Sequence, residues 1–292
     1  MTRRLLIAAL TSGLSVAVAA KPAAAQILAD GPVVYGHHHL NVTSAEATKK
    51  FLVDALGGSA IRIGENRAEV VRFPNVLIFM RAQAPKGGSK GTSVDHIGFS
   101  VPDLSKAVDR IKAGGFRIIT NTETGPPRVI KGDIAYPPTG QTGSSIAFVM
   151  GPDDIKVELV ETTQQAEPIA LHHVHFLGQQ NNEMHAWYVK IFGAEARPAT
   201  NFPTAVLPGV SLLFSGSAAP AVGTQGRALD HIGFEVSNLE AFITKLTASG
   251  IKLDIAYRKV PALNIAVAFF TDPWGTYIEL TEGLGRVTIA TD

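Results

Sequence analysis

The chain repeats itself, and a repeat limits the folds available more tightly than any composition does. Val94-Asp95-His96-Ile97-Gly98-Phe99-Ser100-Val101 returns as Leu229-Asp230-His231-Ile232-Gly233-Phe234-Glu235-Val236. Tyr35-Gly36-His37-His38-His39-Leu40 aligns with Leu171-His172-His173-Val174-His175-Phe176. A third block, Gly151-Pro152-Asp153 through Val157-Glu158-Leu159, aligns with Asp272-Pro273-Trp274 through Ile278-Glu279-Leu280. The order of the blocks is the same in both halves, so one unit has been duplicated. The main difference in length is an insertion in the first half, residues 119–132, expected to form a surface loop that could also close over a cup.

Each half reads as strand, helix, strands, twice over. Asp103 is placed to cap a helix whose apolar positions Leu104, Ala107, Val108 and Ile111 share one face, with Gly114 as its stop. Asn238, Leu239, Phe242, Ile243, Leu246 and Gly250 repeat that design. Helices are expected near 45–56 and 183–192, each closed by a glycine, Gly57 or Gly193. Short β-branched and aromatic runs at 76–80, 146–150, 210–214 and 267–270 read as strands. Gly/Pro/Ser-rich stretches at 82–93 and 215–226 join the two units of each half, and the boundary between halves falls near 162–168. The resulting expectation is an α+β protein with domains at 33–163 and 169–285.

Residues 1–25 read separately. Arg3 and Arg4 precede an apolar, small-residue-rich run, and Ala23-Ala24-Ala25 offers a cleavage site, the pattern of a secretory signal peptide. Thr2-Arg3-Arg4-Leu5-Leu6 is loosely similar to a twin-arginine signal. A periplasmic or secreted protein, free of the membrane once cleaved, is the expectation. A formal charge of +1 with no long basic run gives no footprint for nucleic acid. With 0 cysteines, disulfides, thiolate zinc sites and cysteine nucleophiles are excluded, so any metal must be held by imidazole and carboxylate.

Eight of the nine histidines fall in the repeated strand segments or their edges. Strand side chains alternate, so His37 and His39 share a face, as do His173 and His175. A histidine in the first strand of each half is followed about 60 residues on by another, His96 or His231. Glu158 and Glu279 each lie between apolar neighbours of a final strand. A buried lone carboxylate is costly unless paired or metal-bound. Two imidazoles and a carboxylate suit a divalent ion: iron(II), manganese, nickel or zinc.

These motifs resemble the vicinal oxygen chelate superfamily, which includes glyoxalase I, extradiol dioxygenases, methylmalonyl-CoA epimerase and bleomycin-resistance proteins. The Trp187-Tyr188-x-x-x-Phe192-Gly193 helix, the Asp-His-Ile-Gly-Phe block and Asp-Pro-Trp-Gly-x-x-x-Glu carry the resemblance, over residues 33–285. It implies four βαβββ modules paired into two tandem cup-shaped domains. It also implies metal ligands His37, His96 and Glu158 in one cup and His173, His231 and Glu279 in the other. Of the two, the second is the expected working cup, because the C-terminal one usually holds the metal in two-domain relatives. His39 and His175 are the expected acid–base or supporting residues. Tyr136 and Tyr257 are paired by the repeat and expected to pack in the core. Asp95 and Asp230 are expected to face away from the ligands.

The chain departs from both best-known chemistries of that superfamily. The tyrosine of extradiol dioxygenases, ten residues before the glutamate, is replaced by Phe148 and Phe269, and their additional histidine is missing from 260–268. The glutamate that glyoxalase I carries in the last strand of its first module has no counterpart in 76–80 or 210–214. The expectation is therefore a metal-dependent lyase, isomerase, epimerase or dioxygenase acting on a small oxygenated molecule. The alternative is a small-molecule binding protein of the bleomycin-resistance type.

Overall fold

A computed structural model describes residues 31–123, 125–198 and 201–290. The expected signal peptide, 1–25, lies outside the described residues. Four modules follow one another. The first holds β1 (Val33–Val42), β2 (Ser59–Ile63), β3 (Ala68–Phe73) and β4 (Val76–Ala82). The second holds β5 (Val94–Val101), β6 (Arg117–Ile118), β7 (Val129–Lys131), β8 (Ile134–Tyr136), β9 (Ile146–Met150) and β10 (Lys156–Glu161). In the third are β11 (Ala170–Gly178), β12 (Glu195–Arg197), β13 (Thr204–Leu207) and β14 (Val210–Gly216). The fourth has β15 (Leu229–Val236), β16 (Ile255–Val260), β17 (Ile265–Thr271) and β18 (Tyr277–Glu282).

One helix follows the first strand of each module: α1 (Ala45–Lys49, continued as a π-helical turn over Lys50–Ala55), α2 (Leu104–Ala113), α3 (Asn181–Phe192) and α4 (Leu239–Ala248). The caps form as the sequence predicts. Asp103 accepts from the Lys106 N–H and Asn238 from the Ala241 N–H, which satisfies donors the first helical turn leaves free. Helix α2 ends at Ala113 with Gly114 as its cap, as read; Gly114 itself stays right-handed, and Gly115, at φ 84°, makes the left-handed turn.

Two sheets result, and each draws on both halves of the chain. The first runs β16-β17-β18-β15-β1-β4-β3-β2; the second runs β12-β13-β14-β11-β5-β10-β9-β8-β7, with β6 on β9. Module one is therefore seamed to module four, β1 antiparallel to β15, and module two to module three, β5 antiparallel to β11. The repeat units 33–163 and 169–285 are not the units that build the cups. This corrects the expected grouping of metal ligands.

Connections between modules fix the exchange. The two linkers that cross between sheets, after β4 and after β14, run alongside each other. The Lys86 N–H donates to the Gly226 carbonyl at 2.8 Å, the Ser93 N–H to Val222 at 2.8 Å and the Ala228 N–H to Gly87 at 2.9 Å. Arg227 donates from Nε to the Gly88 carbonyl at 2.9 Å. The helices and one face of each sheet share a continuous core that includes Phe51, Phe73, Phe99, Phe176, Phe214, Phe234 and Phe270. Tyr136 and Tyr257 pack against that core, as expected, and not in the cups. The opposite, concave faces carry the histidines. Among the described residues no helix is long and apolar enough to cross a membrane.

Candidate metal centres in two cups

Each seam brings a His-x-His strand against an Asp-His-Ile-Gly-Phe strand. At the first seam His37 pairs with Gly233 and His39 with His231; at the second His173 pairs with Gly98 and His175 with His96. Both seams are irregular on either side of the His-x-His run, a placement in which bulges re-aim side chains. The motif glycine is explained at once. A Cβ on Gly233 would lie 2.0 Å from Cε1 of His37, and one on Gly98 would lie 2.1 Å from Cε1 of His173. The imidazole of the first strand lies across the bare glycine of its partner, which only glycine permits.

Two clusters of four donors follow: His37, His39, His231 and Glu279 in the first cup, and His96, Glu158, His173 and His175 in the second. All six expected ligands are present, but His37 and His173 have changed places relative to the sequence grouping. In the first cup, Oε2 of Glu279 lies 2.9 Å from Nε2 of His37 and 3.0 Å from Nε2 of His231. Nδ1 of His39 lies 2.9 Å from Nε2 of His231 and 3.8 Å from the same carboxylate oxygen. In the second, Oε2 of Glu158 lies 3.0 Å from Nε2 of His96 and 3.2 Å from Nε2 of His173. Thus His39 and His175, expected as supporting residues, stand among the donors themselves.

Asp95 and Asp230 do not face away; this expectation fails. Oδ2 of Asp95 is 2.7 Å from Nδ1 of His96, and Oδ1 of Asp230 is 2.6 Å from Nδ1 of His231. The bulge-distorted strand lets each aspartate curl back onto the ring of the next residue. The adjacent Asp-His pair was visible in the sequence, but strict alternation put the two side chains on opposite faces. Such a carboxylate fixes the tautomer, with the proton on Nδ1 and a lone pair on Nε2.

The donor sets fit a divalent cation. With Asp95 and Asp230 taking the Nδ1 protons, His96 and His231 aim Nε2 lone pairs at a carboxylate oxygen, an arrangement that needs a positive charge between them. Nε2 of His231 meets both Nδ1 of His39 and Oε2 of Glu279, and one proton cannot serve every pair. In the second cup Nδ1 of His175 is buried without a hydrogen-bond partner, and Nε2 of His173 has only the 3.2 Å contact with Glu158. Bonds of about 2.1 Å at right angles would separate cis donors by about 3 Å, the spacing that the carboxylate–imidazole pairs show.

Protonation divides the donors into two groups. Burial and the neighbouring His96 and His173 hold His175 well below the usual histidine range, and burial pushes His39 down to about 4 against the attraction of Glu279. Both rings are therefore neutral and free to ligate. Burial pulls His96 and His231 down too, but their bonds to Asp95 and Glu158, or to Asp230 and Glu279, outweigh it and raise them. Burial alone would raise Glu158 and Glu279; the surrounding histidines hold both well below the carboxylate range.

Above these matching floors the cups differ. The second opens into a cavity of about 820 Å³ lined by His96, Glu158, His175, Phe148 and Phe202, together with Gly125, Pro126, Pro127, Arg128 and Ile130 of the insertion. The 119–132 segment is therefore a wall of the site, not only a surface loop. Nε2 of His175 is 2.6 Å from Oγ of Ser215. The first cup is narrowed by apolar packing. Val70, Leu77, Val267, Phe269 and Tyr277 pack with Leu284, Val287 and Ile289 of the C-terminal segment. That segment is tied down by the Ala290 N–H to the Arg62 carbonyl at 2.8 Å. The centre that borders this cavity is the one joining modules two and three, whereas the sequence pointed to a C-terminal cup; in the first cup only His39, 23% exposed, reaches the surface.

The model of the Glyoxalase/Bleomycin resistance protein/Dioxygenase superfamily matches residues 34–148 and 130–280. No curated protein matches the sequence. Among solved structures, glyoxalase I from Zea mays is similar at TM-score 0.61 and 17% identity, covering 87% of this chain and 93% of that one. A point mutant of the same Zea mays enzyme gives TM-score 0.62 at 17% identity, over 87% and 95%. A candidate dioxygenase from Bacillus subtilis subsp. subtilis str. 168 gives TM-score 0.59 at 14% identity, over 85% and 84%. At such identities the likeness concerns the fold. With the family model matched twice along the chain, this protein belongs to the Glyoxalase/Bleomycin resistance protein/Dioxygenase superfamily.

Proposed function

We propose that the protein is an exported, metal-dependent enzyme that chelates a small oxygenated substrate in the cup between modules two and three. The reaction is of the lyase, isomerase, epimerase or dioxygenase type. One observation carries the reading: four inward-facing donors, His96, Glu158, His173 and His175, form one cluster, and three of them, His96, Glu158 and His175, line a cavity of about 820 Å³. A divalent ion such as iron(II), manganese, nickel or zinc, held there with two positions left over, would supply Lewis acidity to a pair of substrate oxygens.

The chain's own residues define the rest. Asp95 holds His96 in one tautomer, and Lys156 in turn holds Asp95, its Nζ 2.7 Å from the same Oδ2. Phe148, edge-on to His96 at 5.3 Å between ring centres, gives the site an apolar wall that keeps water off a bound substrate. His175, neutral and bonded to Ser215, is the group best placed to take or return a proton when it is not ligating. The first cup, with the same donors under an apolar plug, would hold a metal for stability.

Metal analysis of the purified full-length chain tests this, with turnover assayed by oxygen uptake with catechols and by proton exchange with α-hydroxyketones. Two bound ions per chain, with activity lost in Glu158→Ala, is the expected result. A chain that binds small molecules tightly with no metal would be a sequestering protein instead.

A further inference from the structure

Three cations line the open cavity, and they are not equivalent. Lys156 is buried and doubly paired, 2.7 Å from Asp95 and 2.6 Å from Glu123. Lys90 is 2.6 Å from the other oxygen of Glu123. Arg128 is half-buried, donates Nη1 to the Ser144 carbonyl at 2.8 Å, and makes no direct ion pair among the described residues, with Glu158 attracting it only at longer range. Its remaining N–H groups make no hydrogen bond to a described residue, and it borders the same space as Glu158 and His175.

A half-buried guanidinium with unused N–H groups and only a distant carboxylate gains by pairing directly with an incoming anion. Its position is not accidental. Arg128 belongs to the insertion that the second half of the chain lacks, and Glu123 pins that insertion to β10 through Lys156 and to Lys90. The twin cup holds Leu284, Val287 and Ile289 over its concave face instead of a charge.

We infer that the substrate of the open cup carries a carboxylate distinct from its two chelating oxygens, and that Arg128 receives it. The substrate class is then a small oxygenated acid, with adjacent hydroxyl or keto oxygens at one end and a carboxylate at the other. A planar carboxylate matches the fork of a guanidinium in two parallel hydrogen bonds. The inference rests on the metal-centre reading of this cup.

Catechol and 3,4-dihydroxybenzoate form a matched pair of probes, since both offer the same two chelating oxygens and only the second adds a carboxylate. Cobalt(II)-loaded full-length protein is titrated with each, following the cobalt absorption, in the wild type, Arg128→Lys and Arg128→Met. Wild type is expected to prefer the acid over catechol by about tenfold more than Arg128→Met does, the scale of one charge-assisted hydrogen bond. Arg128→Lys should keep part of that preference. An equal preference in wild type and Arg128→Met, with cobalt bound and catechol still shifting the spectrum, overturns the role of Arg128 alone. Failure to load cobalt, or a spectrum that catechol leaves unmoved, overturns the metal-centre reading and this inference with it.

Discussion

The two cups have matching floors and unlike mouths. Each seats three histidines and a glutamate on a seam between a His-x-His strand and an Asp-His-Ile-Gly-Phe strand, and each backs one histidine with an aspartate. Over one floor lies a cavity walled by the insertion; over the other, Leu284, Val287 and Ile289 pack onto the concave face. Position 156 shows the divergence in a single residue. Lys156 in the open cup ties Asp95 to Glu123, whereas its counterpart Tyr277 lies against His231 and Phe269, with ring centres 5.5 and 5.4 Å away. Both copies keep a donor set that could hold a metal, and what lies over the two sets differs.

The sharpest way to break this comparison is to remove one carboxylate at a time. Glu158→Ala should lower turnover by at least about a hundredfold, beyond the loss of a supporting partner alone, and leave one ion per chain. Glu279→Ala should also leave one ion but keep turnover within about threefold, at a lower Tm. Equal losses of turnover in the two variants would show that both cups are active.

Glycine substitutions probe the seams next. Gly98→Ala and Gly233→Ala each force a methyl into an imidazole, and each should cost about 1–3 kcal/mol of stability in denaturant titrations. Only Gly98→Ala should also abolish turnover, because it displaces His173. If the alanine variants match wild type in stability, the rings do not lie across these glycines.

Asp95→Asn and Asp230→Asn should each weaken metal binding by about 10–100-fold at their own centre, measured by competition with a chelator. A metal affinity unchanged in both would leave the aspartates as backbone props, the role the sequence assigned them. The smallest expected change in ligand binding, one added catechol, comes from the mouth. Leu284→Ser with Val287→Ser removes two buried apolar side chains, each worth about 1.5–3 kcal/mol, and should let catechol reach the first centre. Stoichiometry of catechol on the cobalt protein would then rise from one to two; a stoichiometry of two in wild type would mean the tail is no plug.

Much of the fold was legible because local signals agree with it. The caps at Asp103 and Asn238, the glycine after each helix and the short β-branched strands all form where the sequence placed them. The six ligands were legible too, from a triplet repeated in order. Asp95 and Asp230 were missed because a regular strand would have turned them away, and the irregular pairing beside His175 and His39 is a property of the assembled seam. For the insertion, a cover over a cup was read only as the second possibility, for a similar reason. Glu123 reaches Lys156 only once β10 is in place, and nothing local to 119–132 specifies that contact.

By itself the sequence determined the module, the duplication, the absence of thiol chemistry and six of the eight clustered donors, since each depends on residue type and short-range order. Which module pairs with which was decided only in three dimensions. Both Asp-His-Ile-Gly-Phe strands present the same histidine and the same bare glycine, so His37 could sit as well on Gly98 as on Gly233. The choice falls to the paired crossover linkers, whose mutual hydrogen bonds exist only when modules one and four share a sheet. The mouth was likewise decided by packing, because an apolar tail buries itself on whichever concave face its preceding strand belongs to, and β18 belongs to the first.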